Sequence, residues 1–348
     1  MTRHFDSDPS EPGGSQSLSM GISRRDLLKA LPVVAALTAC RQKLPFNPAD
    51  FTRPDRSPVA IVDAPNYSVD LADVISRGIK ELGFDVRGRS VLLKPNLIEY
   101  EPGRLINTNP LVAAGAATAF LRAGASEVVI AEGPGHRRDM EYLLAASGFI
   151  DQLKDLRIRF VDLNHDDVRS VPLRSHFTGL NEIFLPVELL KADLIVSLPK
   201  LKTHHWAAMT ASMKNFFGVV PGAVYGWPKN FLHFHGIDNS IVDLVATIRP
   251  HFTIVDAIVA MEGDGPIMGR GRQTGFLAMG QDVVAVDATC ARLIGFQPEK
   301  LRYLAWAGGF LGNIEEHHIE HRGENLPRYQ TRFDVLPNFK ELQLAGGA

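Results

Sequence analysis

Short apolar runs recur along the chain, with stretches of helical period between them. Val59-Ala60-Ile61-Val62, Ser90-Val91-Leu92-Leu93, Glu127-Val128-Val129-Ile130-Ala131 and Ile158-Arg159-Phe160-Val161 are such runs, and Leu194-Ile195-Val196-Ser197 and Thr253-Ile254-Val255 continue the series. Runs of this length fit strands buried on both faces of a parallel sheet. Residues 70–82, 110–124, 138–148, 238–248 and 283–294 carry the helical patterns. Thr108-Asn109-Pro110 is a start signal for the second of these and Gly124 a stop. The alternation predicts an α/β fold: a mostly parallel sheet flanked by helices, with Rossmann-like layering and right-handed crossovers. Residues 163–190 and 215–237 read as irregular lids or insertions.

The pattern at the start of the chain is different. The first twenty residues are rich in Ser, Pro, Gly and Asp and have no apolar period. Arg24-Arg25 then precedes the apolar run Ala30 to Ala39, and Leu37-Thr38-Ala39-Cys40 closes it. A charged segment followed by a short apolar run has the layout of an export signal. The run is too short for a bilayer, which needs about 20 apolar residues. The paired arginines predict the twin-arginine route, with the translocase as a transient partner. The closing tetrapeptide resembles a lipobox, which predicts a lipid on Cys40. Residues 1–39 are therefore expected to be a signal peptide and 40–57 a flexible tether. The α/β domain is expected over 58–330, with 331–348 as a tail. The predicted location is an extracytoplasmic or periplasmic membrane surface, held by the lipid.

Composition narrows the chemistry. A formal net charge of −2 over 348 residues gives no global basic field for nucleic acid. The chain has 2 cysteines, Cys40 and Cys290. That excludes a disulfide framework and a cysteine-ligated iron–sulfur or zinc site. Any metal must be held by nitrogen and oxygen ligands. Twin-arginine export carries folded proteins, which favours a cofactor or metal inserted beforehand.

Several strands run into polar residues. Lys94-Pro95-Asn96 follows one, Glu132-Gly133-Pro134-Gly135-His136 a second, and Pro199-Lys200-Leu201-Lys202-Thr203-His204 a third. Asp256 follows Ile254-Val255, with Glu262-Gly263-Asp264-Gly265 beyond it. In a parallel sheet such ends share the edge where ligands bind. Lys94, Lys200, Lys202 and Lys214 would make that cleft basic and suited to a small carboxylate or phosphate; alternatively, most of them are solvated. His233-x-His235, read as a strand, puts both imidazoles on one face. With His204, Asp256 and Glu262 they are candidate ligands for a metal. Gly263 and Gly265 belong to a glycine-rich loop that could cradle an anion or cofactor through backbone N–H groups. Residues 209–218 read as an amphipathic helix bringing Lys214 and Asn215 to the cleft. His317, His318 and His321 read as a solvated helix face. No P-loop, dinucleotide fingerprint or nucleophile elbow is present.

Lys94-Pro95-Asn96, Leu198-Pro199-Lys200-Leu201-Lys202-Thr203-His204, Met213-Lys214-Asn215-Phe216-Phe217-Gly218 and Met261-Glu262-Gly263-Asp264-Gly265-Pro266 occur in that order, with Val286-Asp287-Ala288 after them. This series resembles domain-of-unknown-function family 362. The resemblance implies an α/β fold and a shared site built from these motifs. Some members add a ferredoxin-type module, whose cysteines this chain lacks. The layout is also similar, as fold analogy, to the nickel-dependent lactate racemases. The expectation is a metal- or cofactor-assisted enzyme acting on a small anionic substrate at the membrane surface. Lys94, Asn96, Lys200, Lys202, His204, Lys214 and Asn215 are its candidate catalytic residues. The alternative is a non-catalytic lipoprotein that binds an anion or metal for a partner.

Overall fold

The computed structural model describes residues 44–345, except 137, 138 and 157. Arg24, Arg25 and Cys40 lie outside the described residues. Among the described residues no helix is long and apolar enough to cross a membrane.

The strands are β1 (Ser57–Asp63), β2 (Ser90–Pro95), β3 (Glu127–Glu132), β4 (Arg159–Asp162), β5 (Val168–Pro172), β6 (Glu182–Pro186), β7 (Leu194–Leu198), β8 (Lys200–His204), β9 (Ala208–Thr210), β10 (Phe252–Glu262), β11 (Arg270–Gly280) and β12 (Ile319–Gly323). The main sheet runs β12-β1-β11-β10-β7-β2-β3-β4. The β10-β7-β2-β3-β4 half is parallel throughout. β11 enters antiparallel between β1 and β10, and β12 returns parallel to β1. The fold is therefore α/β with a mostly parallel sheet.

Side-chain alternation along the strands divides the core into two layers. Val91 and Leu93 of β2 point to one face, where helices Leu71–Glu81 and Pro110–Arg122 pack through Val74, Ile75, Ala116 and Phe120. Leu92 points to the other face, against helices Ile237–Ile248 and Val283–Leu293. Asn109 caps the second helix by accepting the Leu111 N–H, and Pro110 occupies its first turn, as the sequence signal predicts.

Several boundaries differ from the sequence expectation. The tether ends earlier, because Phe46 stacks on Phe310 at 3.9 Å and Phe51 meets the same ring edge-on at 4.8 Å. The tail is part of the domain: Phe333 is buried and Gln343 pairs with Phe296. Residues 163–190 contain the β5–β6 hairpin. The histidines at 317–321 form a one-turn 3-10 helix and then enter β12, so they share no helix face. Residues 209–218 are not one helix. Thr210 ends β9, a single turn spans Ser212–Asn215, and a 3-10 turn follows at Phe216–Val219. The buried Asp287 carboxylate sets this break by accepting the Ser212 and Met213 N–H groups at 2.7 and 3.0 Å.

Candidate functional site

The ends of β2, β3 and β8 meet at a cavity of about 200 Å³. Lys94, Asn96, His204, Lys214, Asn215 and His233 all line it, as do Glu132, Thr210 and Lys229. Parallel strands bring their ends to this edge, so the local geometry follows from the topology.

Much of this polar lining is internally satisfied. The Lys94 ammonium donates to Glu132 Oε1 at 2.6 Å, Pro95 O at 2.9 Å and Asn215 Oδ1 at 3.1 Å. Its three N–H bonds are all in use. Glu132 Oε2 accepts the Leu97 N–H at 2.8 Å, and Asn215 donates to Lys94 O and Ser197 Oγ. Burial pushes the Lys94 pKa down, and Glu132 opposes that shift. Gly218 allows this approach, because a Cβ there would lie 2.5 Å from both Glu132 Oε1 and Lys94 Nζ.

Other groups keep open valences. Lys229 donates to Gly133 O at 2.6 Å and Gly218 O at 2.8 Å, leaving one N–H. It holds these bonds from a left-handed backbone, φ 67°. Lys214 has no hydrogen bond or ion pair among the described residues; its ammonium lies 4.4 Å over the Phe217 ring. Burial lowers the pKa of Lys229 to about 7, and burial followed by repulsion from Lys94 lowers that of Lys214 to about 8. Asn96 Oδ1 and Thr210 Oγ1 are buried without hydrogen-bond partners. An orphaned buried acceptor costs about 1–3 kcal/mol, so two at one cavity point to a missing polar ligand.

Of the four histidines that line the cavity, His204 and His233 present opposite functions. His204 Nδ1 accepts N–H groups from Trp206 at 3.0 Å and Ala207 at 3.1 Å. Burial and nearby cations hold its pKa well below the ordinary value, so the ring is neutral. With Nδ1 an acceptor, the proton sits on Nε2. His233 Nδ1 lies 3.2 Å from Lys229 O, which can only accept. Its proton therefore sits on Nδ1, and Nε2 carries a lone pair. Burial, then Lys214, lowers its pKa as well.

The remaining candidates lie elsewhere. Lys200 is buried away from the cavity lining and donates to Asp256 at 2.7 Å, Tyr67 Oη at 2.7 Å and Val259 O at 3.0 Å. Lys202 donates to Ile106 O at 2.5 Å and also misses the lining. The expected metal set is not assembled. His233 lies in the helix Asn230–Phe234 and His235 follows its end, so they share no strand face. His235 Nδ1 turns to Thr178 O at 3.1 Å. Asp256 is mid-strand and engaged by Lys200, Tyr67 and the Asn109 N–H. Glu262 accepts Arg270 Nε and the Asp334 N–H, both at 3.0 Å. Among the described residues no three His, Cys, Asp or Glu side chains form a metal set. The glycine loop is a hairpin turn between β10 and β11 rather than a free cradle. The Gly263 N–H donates to Asp334 O, and Gly265 packs against the backbone of Thr203.

Sequence reasoning missed Lys229 and Thr210. Lys229 had one faint signal, a lysine after Trp227-Pro228 in a segment with no period. A larger hollow of about 530 Å³ lies beside the start of β1. The Asp282 carboxylate there is already taken up by Ser57 Oγ and the N–H groups of Val284, Ala285 and Asn313.

The residues of the cavity fall within a segment, 91–292, that matches the sequence profile described as Domain of unknown function (DUF362). The chain belongs to the DUF362 family. It is also similar to the thylakoid-associated protein sll1697 of Synechocystis, 32% identical over 226 residues, which are 63% of this chain and 67% of that protein. Among solved structures, the lactate racemase apoprotein of Thermoanaerobacterium thermosaccharolyticum aligns at 14% identity and a TM-score of 0.42, over 70% of this chain and 59% of the racemase. A Thermotoga maritima protein aligns at 15% identity and a TM-score of 0.34, over 63% and 57%. Likeness at that level carries no argument about activity.

Proposed function

We propose that this DUF362 protein is an enzyme that binds a small organic anion in the cavity and moves a proton on it. The observation that carries the reading is the set of unused polar groups around one space. Lys214 and the remaining Lys229 N–H hold the anion, while Lys94 is neutralised by Glu132 and shapes the wall. Asn96 and Thr210 take its polar substituents. His204 Nε2–H donates to an oxygen on which charge develops, and His233 Nε2 accepts the proton. We place this chemistry at a membrane surface, after twin-arginine export and lipid attachment at Cys40. The paired arginines and the lipobox-like tetrapeptide support that setting, and the relative's description as thylakoid-associated agrees with it.

The test is a panel of small carboxylates and phosphates in deuterated water, read by thermal shift and by proton NMR. The expected result is a ligand that raises Tm and exchanges a carbon-bound hydrogen in the wild type. The exchange disappears in His233→Gln, and the thermal shift shrinks in Lys214→Met. Binding without exchange of any hydrogen sinks the catalytic reading and leaves an anion-binding lipoprotein. Mass spectrometry of membrane fractions checks the anchor, which predicts a lipid mass that Cys40→Ser abolishes.

A further inference from the structure

The charges that line the cavity do not balance. Its lysines are Lys94, Lys214 and Lys229, and among the described residues its lining holds one carboxylate, Glu132. Glu132 is already committed. Its Oε1 holds the Lys94 ammonium at 2.6 Å and the Gly133 N–H at 2.9 Å, and Oε2 holds the Leu97 N–H at 2.8 Å. Lys229 is buried and gives two N–H bonds to the carbonyl oxygens of Gly133 and Gly218, which carry no net charge. Lys214 lies over the Phe217 ring and pairs with no carboxylate among the described residues.

Neighbouring groups do not close the gap. The histidines of the lining are neutral or positive, so they cannot offset the lysines. Glu99 and Asp264, outside the lining, face His136 and His205 at 3.6 and 3.8 Å. Asp162, also outside it, meets His165 Nδ1 at 2.7 Å. Two ammonium groups therefore share one small space without a counter-ion, and Lys214 is among the groups that repel the charge on Lys229. A monoanion leaves one of the two uncompensated in a poorly solvated site, whereas a dianion closes the count. Size limits the ligand further. Pockets that bury a drug-sized molecule run to about 300–1,000 Å³, and this one is about 200 Å³.

We propose that the ligand is a small dianion, a short dicarboxylate or a phosphate monoester, whose two negative charges balance Lys214 and Lys229. This rests on the anion reading and adds the charge and size of the substrate to it.

The experiment is calorimetric titration of the full chain carrying Cys40→Ser, at about pH 6.5, below the pKa values of both lysines. The probes are two pairs that differ in charge: succinate against butanoate, and methyl phosphate against dimethyl phosphate. The dianion of a pair should bind at least about tenfold more tightly than its monoanion, because it makes one more hydrogen bond to a charged group. A preference confined to one pair supports the dianion and names its source. In Lys214→Met the preference should collapse, since one cation then remains. Lys229→Met should act alike; if it does not fold, as circular dichroism checks, Lys214→Met decides alone. Equal affinity within both pairs would overturn the dianion and leave the anion site standing. So would a preference that survives in Lys214→Met. If no probe binds, the anion site fails and the dianion fails with it.

Discussion

Lys200 and Lys214 are both family-motif lysines near the same sheet edge, and their surroundings differ in kind. Lys200 gives all three N–H bonds to Asp256, Tyr67 and Val259 O. Asp256 is closed in turn by Tyr67 Oη and the Asn109 N–H, which ties the cluster to the start of the helix Pro110–Arg122. Lys214 gives none to protein among the described residues and faces a cavity with orphaned oxygens beside it. Burial lowers both pKa values, but only at Lys200 does a paired carboxylate oppose the shift. A buried charge with a full set of partners holds the fold together. One without partners is held in place for something that arrives later.

The sharpest way to break this contrast is to remove one partner from each cluster. Asp256→Ala leaves the Lys200 charge buried and unpaired, which should cost about 3–5 kcal/mol in urea unfolding. Lys214→Met removes a desolvated cation that has no partner, so stability should stay within about 1 kcal/mol of wild type or rise. If the two variants unfold alike, the division between structural and ligand-facing lysines is wrong.

The same division explains what the sequence could and could not reveal. Strands such as Val91-Leu92-Leu93 were legible because burial on both faces demands an unbroken apolar run. Their polar ends, Lys94 and Asn96, were legible as site residues because parallel topology sends strand ends to one edge. Asp256 was misplaced for a physical reason. A carboxylate looks like the end of a strand, yet β10 continues to Glu262 because Lys200 neutralises Asp256 from the neighbouring strand. His233-x-His235 was misread because one helical turn, Asn230–Phe234, is too short to show a 3.6-residue period. Lys200 and Lys214 look alike in sequence. Which of them is saturated depends on Tyr67 and Asp256, residues far away along the chain.

A smaller effect separates the clusters by binding. Hydrogen bonds to charged groups contribute about 1.5–3 kcal/mol, so Lys214→Met should weaken anion binding by roughly tenfold or more. Lys214→Arg keeps the charge but not the compact ammonium, and it should recover only part of the loss. Calorimetry on the two variants distinguishes them. Full recovery by arginine would mean that the cavity supplies only a positive field and no directed donor.

The finest discriminator is pH. The ammonium of Lys214 is lost through about pH 8 and that of Lys229 through about pH 7, both far below the usual lysine value of 10.5. Anion binding needs the charged forms, so affinity should fall as pH rises from 7 to 9. From Lys214 alone the drop between pH 7 and pH 8 is about twofold, because half the molecules are neutral at the pKa. The unliganded fold should respond in the opposite sense. A lysine whose folded pKa lies below its unfolded value penalises folding while it is charged. Between about pH 7 and 10.5 the unfolded chain therefore binds more protons, and stability rises with pH. Tm measured with and without a saturating carboxylate should converge as pH climbs from 7 to 9. In Lys214→Met the step near pH 8 should vanish while the one near pH 7 remains. A ligand shift that is flat across this range would show that neither lysine touches the anion as a cation.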